Sequence, residues 1–278
     1  MSNDYTLNGC DGEEIRITAF GIENIEDGNC IILVHGFKGF KDWGYGPYAG
    51  QFFAEQGFFV ITFNFSHNGI GDNPTEFTEL EKFAKNTFSR EIRELSEVIE
   101  AYHNQFFGIS SNKKIGLLGH SRGGAIALLT AHKKLDVGAV AMWASVSKLD
   151  RYSERQKEEW RKKGVFEVLN MRTKQVMSLN LSLLDDIEEN KNDLLNIEKA
   201  VKNLGRPLLI AHGDQDLAVP IKEAEQLYEW SDKSKTEYFT LSAAGHTFNV
   251  QHPFAGTNDK FDRLLNKTAD FFKVHLDK

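Results

Sequence analysis

The chain has little of what would let cross-links, metals, nucleic acid or membranes organise it. Two cysteines in 278 residues make no disulfide framework. Cys10 lies in a polar segment and Cys30 heads an apolar strand, so both read as free thiols. No apolar run approaches the roughly 18 residues of a membrane span. Residues 1–5 lack the basic and apolar regions of a secretory signal, so the expected compartment is the cytoplasm. Positive charge is in deficit, with a formal net charge of −7, which argues against nucleic acid or an anionic membrane as partner. There is no H-E-x-x-H and no paired-cysteine site, so no metal is expected. No G-x-G-x-x-G follows a strand and no lysine-bearing phosphate loop is present, so no cofactor is expected either.

What is present is apolar material in alternating blocks: 41% of residues are hydrophobic, and 21 Phe against four Trp make Phe the main aromatic filler. Glu13–Phe20 alternates as a half-exposed strand with Ile15, Ile17 and Ala19 on one face, preceded by a short strand near Tyr5–Leu7. Cys30–Val34 and Phe58–Asn64 are continuous apolar runs, the pattern of strands buried on both faces. Tyr48–Gln56 reads as a short helix. Phe88, Ile92, Leu95, Val98, Ile99, Tyr102 and Phe106 recur at helical spacing along a longer one. Further strands are expected at Lys114–Gly119, Gly138–Trp143, Arg206–Ala211 and Glu237–Leu241, and further helices after Ser121, at Ile221–Trp230 and at Asp259–Leu276. Strands alternating with helices predict one α/β domain over 1–278, with a mostly parallel sheet of about eight strands and helices on both faces.

Residues 146–203 break the alternation. Ser153-Glu154-Arg155-Gln156 is a capping box opening a very polar helix that ends at Gly164. Val165–Leu181 reads as a small hairpin and Leu183–Leu204 as one or two helices. An insertion of about fifty residues between two strands predicts a lid over a site, with Trp160, Val165 and Phe166 lining an apolar substrate pocket.

In a parallel sheet, ligands bind beyond the carboxyl ends of the strands. Four polar stretches fall there: His35–Gly39, Gly119–Gly123, His212–Asp216 and Gly245-His246-Thr247. Gly119-His120-Ser121-Arg122-Gly123, between an apolar strand and an apolar helix, matches the G-x-S-x-G nucleophile elbow. A serine hydroxyl needs a base to take its proton and a carboxylate to orient that base. Of nine histidines, His103, His132 and His275 fall on helices or near the chain end. His35 and His212 end strands and read as structural, His120 flanks the serine but aims away from it, and His252 is a reserve. His246, in a glycine-containing loop after the last strand, is the expected base. Two aspartates compete for the carboxylate; Asp216 is favoured because Asp214, next to Gly213, suits a turn residue bonding its own loop's amides. The oxyanion donors would be the backbone N–H groups of Arg122 and Phe37.

Assembled, these residues resemble the α/β-hydrolase superfamily, in which nucleophile, acid and base follow the order Ser121, Asp216, His246. The likeness rests on His35-Gly36-Phe37, on Gly119–Gly124, and on His212–Pro220 with Ala244-Gly245-His246. More narrowly, the chain is similar to bacterial serine carboxylesterases with a small inserted lid. That group includes cinnamoyl (feruloyl) esterases and relatives described as dienelactone hydrolase-like or serine aminopeptidase-like. Such enzymes commonly carry an aspartate–arginine–glycine–histidine–glycine pattern where this chain has Asn64-Phe65-Ser66-His67-Asn68-Gly69, so substrate choice is expected to fall to the lid and to this unusual loop. The resemblance implies hydrolysis of a small-molecule ester, aryl or hydroxycinnamoyl esters included. Amidase, acyltransferase and non-catalytic ligand-binding roles are the alternatives, and the oligomeric state, a homodimer included, is left open.

Overall fold

The computed structural model describes residues 2–109, 111 and 113–277. Along the chain come β1 (Ser2–Asn8), β2 (Glu14–Phe20), β3 (Cys30–Val34), α1 (Gly46–Glu55), β4 (Phe59–Asn64), α2 (Leu80–Lys85) and α3 (Phe88–His103). Then follow β5 (Ile115–His120), α4 (Arg122–Lys133) and β6 (Val137–Trp143). The insertion contributes α5 (Glu154–Lys163), β7 (Val165–Leu169), β8 (Val176–Asn180), α6 (Leu181–Asn190) and α7 (Ile197–Lys202). The chain closes with β9 (Leu208–Gly213), α8 (Ile221–Trp230), β10 (Thr236–Leu241) and α9 (Asp259–Leu276).

Eight strands form one sheet in the order β1-β2-β4-β3-β5-β6-β9-β10. β2 runs antiparallel to both neighbours and the remaining pairs are parallel. The continuous apolar runs are explained by helices on both faces. Along β3, Cys30, Ile32 and Val34 join the core under α3 and α4, whereas Ile31 joins the core under α1 and α9. Each strand side chain thus alternates between two cores.

Two expectations at the antiparallel edge need correction. β1 is a full seven-residue partner of β2, not a short strand. β2 is not half-exposed: only Glu14 and Arg16 escape burial. Its second face is covered because the Phe20 ring lies where a Cβ on Gly50 of α1 would stand, 2.6 Å away, and because Thr18 is bonded to Lys41 and Asp4. α2 went unanticipated; six residues are too few to display a helical period.

The insertion forms the hairpin its sequence predicts, β7 against β8, and the Ser153–Gln156 capping box is closed, with Gly164 ending α5 in left-handed geometry. Trp160 is the exception to that helix's polarity. It is fully buried, edge-on to Tyr152 at 5.0 Å and against Phe166 at 5.3 Å. It holds together the aromatic cluster at the base of the insertion, which is continuous with the core under the sheet. Trp160→Ala should lower unfolding free energy by about 3–5 kcal/mol, measured by urea denaturation. A change below about 1 kcal/mol would show that the insertion is not anchored by this residue.

Candidate active site

Ser121 sits between β5 and α4 at φ 57°, ψ −124°, outside the regions a residue with a Cβ favours. Tight backbone packing holds it there. A Cβ on Gly119 would lie 2.2 Å from the Gly123 carbonyl oxygen, and one on Gly123 would lie 2.2 Å from that of Val34. Only glycine lets strand and helix meet this closely. Ser121 N–H is tied to the Trp143 carbonyl at 2.8 Å.

The loops after β9 and β10 meet beside this turn. His246 Nδ1 donates to Asp216 Oδ2 at 2.7 Å, which leaves Nε2 as the ring's unengaged nitrogen. Asp216 Oδ1 accepts from the Ala218 and Val219 amides, both at 2.9 Å, and its side chain is wholly buried. Burial raises that carboxyl's pKa, but hydrogen bonds from His212, His246 and Val219 outweigh it and hold the group well below the carboxylate range. Ser121 and His246 line the same cavity. Among the described residues no hydrogen bond joins them.

The competing residues have other duties. Asp214 accepts from the Ala243 amide at 2.7 Å, so it staples the neighbouring loop; Asp216 is the one that bonds amides of its own loop. His120 Nε2 donates to the His246 carbonyl at 2.8 Å. Burial, then the neighbouring His246, pushes its pKa down to about 3. His212 Nε2 bonds the Val219 carbonyl, and His252 accepts from the Gly44 amide. His35 Nδ1 donates to the Gly36 carbonyl while its Nε2 accepts from the Phe65 amide.

The wall opposite His246 is the loop after β3. A Cβ on Gly36 would stand 3.0 Å from Ser121 Cβ and 3.5 Å from the Arg122 amide nitrogen, so this loop runs directly over the elbow. The amides of Phe37 and Arg122 make no backbone hydrogen bond among the described residues. The side chains of the same two residues stack, with the Arg122 guanidinium 4.8 Å from the Phe37 ring centre. Arg122 in turn pairs with the buried Glu91 at 2.6 Å. The Asn64–Gly69 loop does not line the cavity; Asn64, Ser66, His67 and Asn68 are buried beneath its wall. Asn64 receives the Lys41 amide at 2.7 Å, and Ser66 donates to Glu94. This loop supports the wall instead of touching a ligand, because its polar groups are spent on protein partners.

The cavity measures ≈ 270 Å³. Trp160, Val165 and Phe166 do not line it, contrary to expectation. The insertion reaches it instead through Asn170, Met171 and Arg172, at the tip of the β7–β8 hairpin. Trp43 and Tyr45 also went unsuspected. The signal for the hairpin residues was available: a hairpin expected over 165–181 places its turn near 170–174, and a turn, not a root, overhangs a site. Among the described residues no group of three or more His, Cys, Asp or Glu is arranged to hold a metal ion, and no helix is long and apolar enough to cross a membrane.

A model of the peptidase S9 group, described as the prolyl oligopeptidase family, matches residues 44–278. The chain belongs to this family. The matched span holds Ser121, Asp216 and His246 and begins after the His35–Phe37 loop. Solved structures of similar shape support the same architecture. A putative hydrolase from Agrobacterium vitis S4 is 19% identical with a TM-score of 0.73, over 98% of each chain. Est1E from Butyrivibrio proteoclasticus with ferulic acid bound is 17% identical with a TM-score of 0.73, over 99% of this chain and 100% of its own. The α/β hydrolase GrgF from Penicillium sp. sh18 is 17% identical with a TM-score of 0.75, over 100% of each. No curated protein sequence matches the chain. This member of the prolyl oligopeptidase family is a hydrolase with the α/β-hydrolase fold.

Three histidines of this hydrolase are held neutral by burial: His120, with its pKa pushed down to about 3, and His35 and His67, each down to about 4. In the unfolded chain each titrates near 6.5. A depressed folded pKa contributes stability that is complete above the unfolded value and is lost as pH falls toward the folded one. Unfolding free energy should therefore decline from about pH 6.5 to pH 4, by about 1 kcal/mol per histidine per pH unit. Urea denaturation across this window measures the slope. His120→Gln should flatten it by roughly one proton's worth; an unchanged slope would mean that His120 is charged in the folded protein.

Proposed function

We propose that this protein cleaves carboxylic esters through an acyl-enzyme on Ser121. Ser121 Oγ attacks the ester carbonyl while His246 Nε2 takes its proton, and the negative charge on the tetrahedral oxygen is met by the amides of Phe37 and Arg122. His246 then returns the proton to the departing alcohol. Water, deprotonated by His246, attacks the acyl-Ser121 carbonyl, releases the carboxylic acid and restores the serine. Asp216 holds the imidazole with Nδ1 protonated and stabilises the imidazolium formed at each step. The observation that carries the reading is the 2.7 Å Asp216–His246 pair opening onto the same cavity as a strained Ser121. The 146–203 insertion acts as the lid, through its hairpin tip.

Peptide cleavage is the second reading, favoured by membership of the prolyl oligopeptidase family. An exopeptidase that holds a free amino terminus needs a carboxylate to receive the ammonium. Among the described residues no Asp or Glu lines the cavity, which favours esters over aminoacyl amides.

A fluorophosphonate should label Ser121 of the folded protein, located by peptide mass spectrometry, and Ser121→Ala should remove both label and turnover. Asp216→Asn should lower kcat about 10⁴-fold, as expected when a triad's imidazole loses its orienting carboxylate. In a panel of nitrophenyl esters, hydroxycinnamate esters and aminoacyl amides, the esters should be hydrolysed. Turnover confined to the amides would sink the esterase reading.

A further inference from the structure

The cavity wall carries cations without matching anions. Three charged side chains line it: Lys38, Lys41 and Arg172. Lys41 is neutralised by Asp42 at 2.8 Å. Lys38 and Arg172 pair with no carboxylate among the described residues, although the chain holds 40 Asp and Glu. In a protein of net charge −7, two unpaired cations beside a nucleophile stand against the general field of the molecule.

Both are positioned. The hairpin tip that bears Arg172 is braced by the buried Asn170, whose side-chain oxygen accepts the Arg172 amide at 3.2 Å and whose carbonyl accepts the Lys174 amide at 2.7 Å. The guanidinium lies 5.3 Å from the Phe40 ring centre and 5.8 Å from that of Phe77. Proximity to two rings positions the guanidinium, and among the described residues it donates no side-chain hydrogen bond, so its N–H groups are unused. Lys38 follows Phe37 directly, in a left-handed conformation at φ 55° that side chains other than glycine's disfavour. Its Nζ reaches the Leu169 carbonyl at the end of β7, 3.2 Å away, so one ammonium spans from the oxyanion wall to the hairpin. The two charges feel one another: the pKa of Lys38 is lowered by burial and then by Arg172. Like charges held together with an unused donor edge are what an anionic ligand relieves.

We propose that the substrate is an anionic ester, in which a carboxylate on the acyl or the alcohol part is received by Arg172, with Lys38 beside it, while Ser121 takes the ester carbonyl. Arg172 is the specificity-determining residue, since its planar donor edge fits the two oxygens of a carboxylate. The aromatic wall formed by Phe40 and Trp43 takes the apolar part between carboxylate and ester. This rests on the esterase reading above and narrows it.

Matched pairs of probes test it. 4-Nitrophenyl hemiglutarate against 4-nitrophenyl hexanoate places the charge on the acyl side; 4-butyryloxybenzoate against its methyl ester places it on the alcohol side. At low ionic strength the wild-type protein should prefer the charged member of one pair by at least tenfold in kcat/KM, and which pair shows it assigns the side. Arg172→Gln should reduce that ratio about tenfold or more, as loss of a charge-assisted bidentate bond does, and added salt should reduce it in the wild type. Calorimetric binding of the same four esters to Ser121→Ala protein reads the preference without turnover. Preference in binding with no hydrolysis of any ester would leave the anion site standing and remove the esterase reading. Hydrolysis or binding with equal affinity for charged and neutral members, unaltered by Arg172→Gln, would overturn the anion site and leave the esterase reading intact.

Discussion

The contact on which the site depends is backbone against backbone. At Gly36, Gly119 and Gly123 the loop after β3, the end of β5 and the start of α4 approach to distances that a single methyl would forbid, the hypothetical Cβ of Gly123 lying 2.2 Å from the Val34 oxygen. This closeness forces Ser121 into a positive-φ apex, so that its side chain leaves the sheet at a sharp angle. On the mechanism proposed above the oxyanion donors are the Phe37 and Arg122 amides, which need no particular side chain. Both donors belong to backbone fixed by the sheet through β3 and β5, which are direct neighbours. A preorganised pair of dipoles is worth more than a mobile one because nothing has to rearrange as charge develops.

Electrostatics around the elbow then divide the histidines by environment. His246 and His120 are 4.7 Å apart by ring centre. One faces a buried carboxylate, the other a backbone carbonyl enclosed by Tyr45 and Phe248. The second cannot take a proton without placing an unpaired charge among aromatic rings, so it stays neutral and acts as a brace on the His246 backbone. Arg122 does similar service on the other side. Its guanidinium, pinned by Glu91 and stacked on Phe37 and Phe88, ties the first turn of α4 to the loop above it. A buried ion pair of this kind contributes little net stability, but it fixes geometry.

Most of the architecture was legible in the sequence because it depends on patterns that physics keeps local. Continuous apolar runs such as Cys30–Val34 report burial on both faces, and the glycines around Ser121 report a turn that nothing else can make. What could not be read is what depends on which surfaces later cover which. The polar character of Thr18 and Arg16 suggested an exposed face on β2, and only the packing of Phe20 against α1 and the salt-linked Lys41 closes it. Trp160 suggested a pocket wall because an aromatic in a polar insertion serves equally as an anchor or as a ligand contact, and composition does not distinguish them. The Asn64–Gly69 loop is expected to bear on substrate choice because it departs from the pattern common in the esterases that the chain resembles. In the fold its polar atoms are consumed by Glu94, His35 and Lys41.

The insertion itself shows why anchor and contact had to be separate residues. An insertion that buries its largest side chain gains rigidity at its base, and Trp160, Tyr152 and Phe166 form an aromatic cluster there. Rigidity at the base lets a short hairpin carry a defined tip, and the tip is where chemistry can vary without disturbing the core. Asn170 stabilises the turn through backbone partners, so the side chains of Met171 and Arg172 project with no structural duty of their own. Met171 is 65% exposed. An apolar group and a cation presented together at the rim of an aromatic cavity are the features on which the anionic-ester proposal rests.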